Sequence, residues 1–332
     1  MSTTRFDVLG LGNAIVDVIA RTDDDFLGLE KLGKGSMALI DETRALALYE
    51  AMGPGTIISG GSAANTIVGV ASFGGRSAFI GKIKADETGH AFSHDIRATG
   101  VHFETAPAVE GPATARCLVL VTPDGERTMN TYLGACQNLT SDDVDPNLVR
   151  SAAITYLEGY LWDPPHAKEA FVKAAAIAHD AGRQVALTLS DSFCVDRYRD
   201  EFLGLIRNRT VDIVFANQHE LKSLYQTADF ETAVSALRAE NLLGVVTKSE
   251  EGSLVVTRDS TNAVPAFPID TLTDTTGAGD LFAAGFLFGL TRNQDYVSCA
   301  RLGALAAAEV IQHYGARPEK NLLQLARDNG LV

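Results

Sequence analysis

The sequence predicts an α/β fold, a doubly wound, mostly parallel sheet with helices on both faces plus a small β lid, from three observations. The chain opens on the apolar run Phe6-Asp-Val-Leu-Gly-Leu-Gly12, which reads as a buried strand ending in glycines. Short apolar runs then alternate with segments of helical period, the pattern of βαβ units whose strands pair in parallel. Two regions, 17–41 and 101–130, break that rhythm; the second sets short runs such as Ala115-Arg-Cys-Leu-Val-Leu-Val121 around the turn signal Pro123-Asp-Gly125.

In chain order, further strands are expected at residues 56–59, 77–80, 154–157, 184–189, 213–216, 243–247 and 253–257. Residues 165–181 and 232–240 have the period and composition of helices. The two irregular regions fit antiparallel hairpins that leave the main sheet, meet above the strand ends and cover a site as a lid. A large open sheet absorbs the length of 332 residues, so residues 1–332 are expected to form one domain with the lid inserted in its core.

A content of 46% hydrophobic and 21% charged residues is that of a globular protein. The 42 acidic against 28 basic residues give a net charge of −14, and no basic run or basic–aromatic stripe is present, which argues against a nucleic-acid partner. An anionic ligand would meet an opposing field, so backbone amides, a few basic residues and a divalent cation must bind it locally. Cys117, Cys136, Cys194 and Cys299 lack the paired spacing of a zinc site or disulfide framework, which suits a reducing cytoplasm. The N-terminus has no apolar signal core and the longest apolar stretch, 281–290, is too short to span a bilayer, so a soluble, cytoplasmic protein without a membrane partner is expected.

Two glycine motifs are set aside. Gly10-Leu-Gly12 would place the third glycine of a dinucleotide fingerprint at Ile15, where a hydrophobe blocks close helix packing. Gly28-Leu-Glu-Lys-Leu-Gly33-Lys34 approaches a Walker loop, but Gly35 replaces the magnesium-binding hydroxyl and Asp23-Asp-Asp25 precedes it instead of a buried strand; a surface turn in the lid is the better reading.

Asp274-Thr-Thr-Gly277-Ala278-Gly279-Asp280 leads into an apolar helix, whose N-terminal amides and aligned dipoles form an anion cradle that the glycines leave open. Asp280 there either caps the helix or accepts the proton of a substrate hydroxyl as that oxygen attacks phosphorus. Gly60-Gly61-Ser62-Ala-Ala-Asn65 opens a second helix, with Ser62 and Asn65 placed either to bind a polyol or to serve a capped turn. Asn13 and Asp17 add an amide and a carboxylate suited to adjacent hydroxyls, or are turn residues. Asn217 and Glu220, one helical turn apart after a strand, suit hydrated Mg²⁺ or form a capping box.

Together these elements resemble the ribokinase-like (PfkB) carbohydrate kinases. Gly60 to Asn65 with Phe73-Gly-Gly75 and Gly81 is similar to the first family signature, Asp274 to Asp280 to the second, and Asn217-Gln-His-Glu220 to the Asn-x-x-Glu motif, in the family's order from Val8 to about Glu319. The resemblance implies ATP and Mg²⁺, Asp280 as base, and the Gly277, Ala278 and Gly279 amides on the transferring phosphoryl group. It further implies Gly61, Ser62 and Asn65 as substrate ligands, and Asn217 and Glu220 as organisers of Mg²⁺, through water, or of phosphate.

Within that family Leu11-Gly-Asn13-Ala-Ile-Val-Asp17, Tyr156-Leu-Glu-Gly-Tyr160, Phe215 to Glu220 and Gly315-Ala-Arg-Pro-Glu-Lys320 look most like adenosine kinases. A ribonucleoside phosphorylated at its 5′-hydroxyl, adenosine giving AMP, is then implied, its ribose held by Asp17 and Asn65 with Asn13 nearby, and Arg127 reaching the phosphates. Met37 stands where animal adenosine kinases are alike in having a glutamine, and Met129 and Thr131 line the neighbouring stretch against the base. Thr247 and Gly252 resemble the ends of a Thr-x-Gly-x-x-Gly nucleotide loop, with Ser249 in place of its first glycine. The resemblance also leans to a monomer over a homodimer. Another sugar or nucleoside kinase on the same scaffold, and a silent nucleoside-binding regulator, are the competing readings.

Overall fold

The structure, a computed structural model, describes residues 4–332. Its strands in chain order are β1 (Phe6–Leu11), β2 (Ile15–Arg21), β3 (Met37–Leu39), β4 (Gly55–Gly60), β5 (Ser77–Ile80), β6 (His102–Phe103) and β7 (Ala115–Val121). There follow β8 (Arg127–Tyr132), β9 (Ala152–Glu158), β10 (Gln184–Thr188), β11 (Ile213–Asn217), β12 (Leu243–Thr247), β13 (Ser253–Val256) and β14 (Thr261–Val264). Nine strands form one sheet in the order β14-β13-β12-β11-β10-β9-β1-β5-β6, parallel except for the antiparallel edge pair β13 and β14. Strand β1 is buried along its whole length, as a strand covered on both faces must be.

The helices are α1 (Asp24–Leu29), α2 (Glu42–Ala51), α3 (Ser62–Ser72), α4 (Glu87–Ala98), α5 (Pro146–Ser151) and α6 (Pro165–Asp180). After them come α7 (Ser192–Arg207), α8 (Gln218–Leu224), α9 (Phe230–Ala239), α10 (Ala278–Thr291), α11 (Tyr296–Val310) and α12 (Leu322–Asp328). Phe171, Phe202, Leu221 and Leu237 of α6 to α9 share one core with Leu11, Leu157 and Leu187 of the sheet. Ile67, Phe286 and Cys299 of α3, α10 and α11 share the opposite core with Val8, Tyr156 and Phe215. Helices therefore cover both faces, as the alternation predicts, and α6 and α9 lie where their periodicity puts them.

Five strands in the order β3-β8-β7-β2-β4 form a second sheet, built from the segments expected to make the lid. Its boundaries correct the sequence reading in three places. Residues 56–59 belong to β4, a lid edge strand antiparallel to β2, and not to the core sheet; only Ser59 and Gly60 are buried, and Ile57 of its apolar run is exposed. Residues 17–41 are not a hairpin, because Asp23 accepts from the Phe26 amide at 2.8 Å and starts α1 between β2 and β3, which then pair in parallel with β7 and β8. Residues 102–103 are the edge strand β6 of the core, and the predicted hairpin is β7–β8 turning at Pro123-Asp-Gly125. The Gly28 to Lys34 segment is a lid surface, where the Lys34 ammonium donates to Asp24 at 2.7 Å and Asp124 at 2.6 Å.

Strands on either side of the β9–β1 pair are added in opposite directions, which opens a crevice at their C-terminal ends. No helix follows β1; the chain passes straight through Gly12 and Asn13 into lid strand β2, which disposes of a dinucleotide fingerprint there.

Candidate active site

At the mouth of that crevice Glu158, the last residue of β9, reaches across to the end of β1. Its carboxylate accepts from the Asn13 side-chain amide at 2.6 Å, the Asn13 backbone at 3.3 Å and the Ala63 amide of α3 at 2.8 Å. Burial pushes the Glu158 carboxyl up to about 7 against these hydrogen bonds. Asn13 is thus engaged by protein and ties the root of the lid to the start of α3.

Gly61 caps α3 with φ 97°, a backbone conformation that disfavours any side chain, and a Cβ there would collide with the Asn13 carbonyl. This turn brings Ser62 and Asn65 to Asp280: the Ser62 hydroxyl donates to one carboxylate oxygen at 2.6 Å and the Asn65 amide to the other at 3.0 Å. Asn65 Oδ1 is buried with no partner among the described residues.

Gly277, at φ 78° in the left-handed region, is the N-cap of α10, and among the described residues Asp280 accepts from Ser62 and Asn65 and from no helix amide. The capping alternative for Asp280 therefore falls. Burial pushes its carboxyl up to about 6, opposed by Ser62, Asn65 and the Arg317 charge. The backbone amides of Gly277 and Gly279 have no acceptor among the described residues, whereas that of Ala278 turns back to the Thr275 carbonyl at 3.2 Å. Two of the three predicted cradle amides are thus free to meet an anion.

Asp17 projects from the cleft-facing side of β2, in one cross-strand row with Cys117 and Thr131. The Thr131 hydroxyl donates to Cys117 Sγ at 3.3 Å. No hydrogen bond reaches the Asp17 carboxylate among the described residues, and burial pushes it up to about 6 while Arg317 and Arg127 draw it down. Ile15, Ile19, Val119, Val121 and Met129 surround it as an apolar wall. Met37 pairs with Met129 at the outer edge of the same face and is 47% exposed.

Arg127 of β8 forms a buried ion pair with Asp274, which also accepts from the Gly315 amide at 2.9 Å and the Thr276 amide at 3.0 Å. The lid is thereby fastened to the glycine loop, and the guanidinium expected on phosphates is held by a carboxylate.

Asn217 and Glu220 form a capping box at the start of α8, with Asn217 Oδ1 accepting from the Glu220 amide at 2.9 Å and Glu220 accepting from the Asn217 amide at 2.9 Å and its side chain at 2.5 Å. Burial, with repulsion from Asp191, pushes Glu220 up to about 7. Thr247 stands beside Asn217 in register at the end of β12. In the following loop Ser249 takes φ 52° and Gly252 φ 88°, so the serine keeps the left-handed turn that a glycine would favour.

Two residues of the site carry no role in the sequence reading. Glu158 and Arg317 both lie in stretches that resemble adenosine kinases, but their partners Asn13, Ala63 and Ser59 come from distant elements.

A carboxylate held ready beside free helix-terminal amides, under a lid, defines a small-molecule phosphotransferase acting on a hydroxyl. Residues 49–321 match the pfkB family of carbohydrate kinases, and the chain belongs to that family. It is similar to an adenosine kinase from Sinorhizobium meliloti, 54% identical with a TM-score of 0.92 over 98% of this chain and 99% of that one. It is similar also to a probable sugar kinase from Rhizobium etli CFN 42, 53% identical with a TM-score of 0.94 over 99% of this chain and 100% of that one. Adenosine kinase 2 of Arabidopsis thaliana is 27% identical over 96% of this chain and 98% of its own length.

Proposed function

We propose that the protein transfers the γ-phosphoryl group of ATP to the 5′-hydroxyl of a ribonucleoside, adenosine giving AMP. The observation that carries this reading is the unpartnered Asp17 carboxylate set in an apolar wall, in the same cleft as a base held by Ser62 and Asn65. A carboxylate accepts from two vicinal hydroxyls at once, and the apolar face suits a planar base. The S. meliloti relative, named an adenosine kinase, supports the same choice.

In this mechanism Asp280 takes the proton of the 5′-hydroxyl as it attacks phosphorus, and the Gly277 and Gly279 amides stabilise the growing charge, with Ala278 framing them. The lid excludes water, and Asn65 Oδ1 accepts from a sugar hydroxyl beside Asp17. Thr247 and Gly252 border the nucleotide, and Arg127 exchanges Asp274 for phosphate. Among the described residues no cluster of three metal ligands exists, so a dedicated cage does not fit. Asn217 and Glu220 supply oxygen ligands one helical turn apart, of the kind that would hold an Mg²⁺ ion keeping most of its waters. Such an ion supplies charge neutralisation on the phosphates.

The free, buried cysteines agree with a cytoplasmic setting, and no helix among the described residues is long and apolar enough to cross a membrane. A monomer is proposed on the likeness to adenosine kinases alone, since the lid edges β3 and β4 would permit a dimer as well. A sugar substrate is the second reading, favoured by the R. etli relative. Comparing kcat/KM for adenosine, inosine, guanosine, ribose and fructose decides: adenosine is expected first, and ribose or fructose in that place refutes the nucleoside. Binding of adenosine and ATP without ADP release would instead indicate a silent regulator.

Asp17→Ala should raise the nucleoside KM about 10- to 100-fold, the worth of hydrogen bonds to a charged group, with a smaller change in kcat. An unchanged KM in initial-rate assays would remove Asp17 from the sugar.

Activity and stability should respond to pH in opposite senses. As pH falls through about 6, Asp17 and Asp280 protonate and kcat/KM drops. The folded-state carboxyls of Asp17, Asp280, Glu158 and Glu220 lie above their ordinary values, so the folded chain binds protons more tightly than the unfolded one. Their contribution to stability is full below the unfolded values and is lost as pH rises through about 6 and then about 7. Urea midpoints are therefore expected to be higher at about pH 5 than at about pH 8, roughly one unit below the lower and above the higher of those values.

A further inference from the structure

We infer that Arg317 is a positioning residue for phosphoryl transfer, its guanidinium clamping both ends of the loop between β4 and α3 so that Asp17 and Asp280 are held in one frame. The inference rests on the reading of Asp280 as base and Asp17 as hydroxyl anchor.

Arg317 leaves the segment after α11 and inserts behind the glycine turn. Its Nε and Nη2 donate to the Ser59 carbonyl at 3.0 and 2.6 Å, Nη2 also donates to the Ser59 hydroxyl at 3.0 Å, and Nη1 donates to the Ala64 carbonyl at 3.0 Å. Ser59 is the penultimate residue of β4, and its amide donates to Asp95 of α4 at 2.7 Å. Ala64 lies in the first turn of α3. One planar group thus bridges the lid strand and the helix that carries Ser62 and Asn65. Only an arginine offers this many donors in a fixed fork.

Both carboxylates depend on the clamped loop. Gly60, next to Ser59, packs directly against the Asp17 carboxylate, and Asn65, next to Ala64, donates to Asp280. A shift of the loop therefore moves the anchor and the base relative to each other.

The charge acts on the same two groups. Burial draws Arg317 down to about 10, so it stays protonated at neutral pH, and it attracts Asp17, Asp280 and Asp95. Around Asp280 the other ionisable neighbours are Asp17 of β2, Tyr156 and Glu158 of β9, and Tyr160 beyond it. None of these is a cation. Without Arg317 the base would face only like charge and would hold its proton to higher pH.

Arg317→Met and Arg317→Lys, assayed in the full-length enzyme with adenosine and ATP, test this. Arg317→Met is expected to lower kcat/KM for adenosine about 10- to 100-fold at pH 7, move the acid limb of the pH profile upward, and leave the KM for ATP within about twofold. Arg317→Lys should recover part of the loss and part of the shift. A merely structural arginine would lower the melting temperature and leave the acid limb and the adenosine KM in place, and that result overturns the inference. Should Arg317→Met not fold, Arg317→Gln, which also removes the charge, and Arg317→Lys carry the same pH measurement. Asp280→Asn in the same assay separates the two levels: near-normal turnover there refutes the base itself. An inactive Asp280→Asn beside Arg317 variants with an unmoved profile refutes Arg317 alone.

Discussion

Asp280→Asn is expected to lower turnover by about 10²- to 10⁴-fold, the range for a general acid–base group, while adenosine and ATP still bind. The side chain is the same size, and Asn at this site can still accept from Ser62 or Asn65 through its one oxygen. What it loses is the ability to take a proton at neutral pH. Binding should be followed by calorimetry and turnover by ADP release, so that the two can be told apart. The capping reading, which predicts a loss of helix stability and unchanged chemistry, has no support in the contacts of Asp280. Near-normal turnover in this variant would remove Asp280 from the reaction.

Asp274→Ala and Arg127→Ala should each destabilise the protein by about 3–5 kcal/mol, because each leaves a buried charge without its partner. The Arg127 and Asp274 side chains are only 8% and 4% exposed, so solvent offers little compensation. Asp274 would keep the Gly315 and Thr276 amides when Arg127 is removed, which makes Arg127→Ala the milder of the two. In urea denaturation the double variant should lose less than the sum of the single losses. Strict additivity would show that the pair does not couple lid to core.

Much of the fold is legible in the sequence because a parallel sheet buried on both faces writes itself as apolar runs, and β1, β5, β9, β10, β11 and β12 all read that way. The lid is less legible. β4 carries the same kind of apolar run as a core strand, and nothing local says that it pairs antiparallel with β2. β2 and β3 are separated by a helix whose only announcement is the Asp23 cap. In the site, Ser62, Asn65 and Asp280 lie in compact glycine motifs that announce themselves, and the fold brings them into contact. Roles fixed by contacts between distant segments do not announce themselves. Glu158 is 145 residues from Asn13, and Arg317 is 258 from Ser59, distances at which no periodicity or spacing carries information.

The direct run of β4 into α3 has a consequence for futile chemistry. Lifting the lid lifts Ser59 and Gly60, and these are covalently joined to Ser62 and Asn65, the two donors that orient Asp280. With Asp280 as the proposed base, its aim then depends on the position of the strand that covers the cleft. On that proposal, a water molecule in the acceptor position of an open cleft meets a carboxylate that has lost its aim, and phosphate release from ATP without an acceptor is expected to be slow.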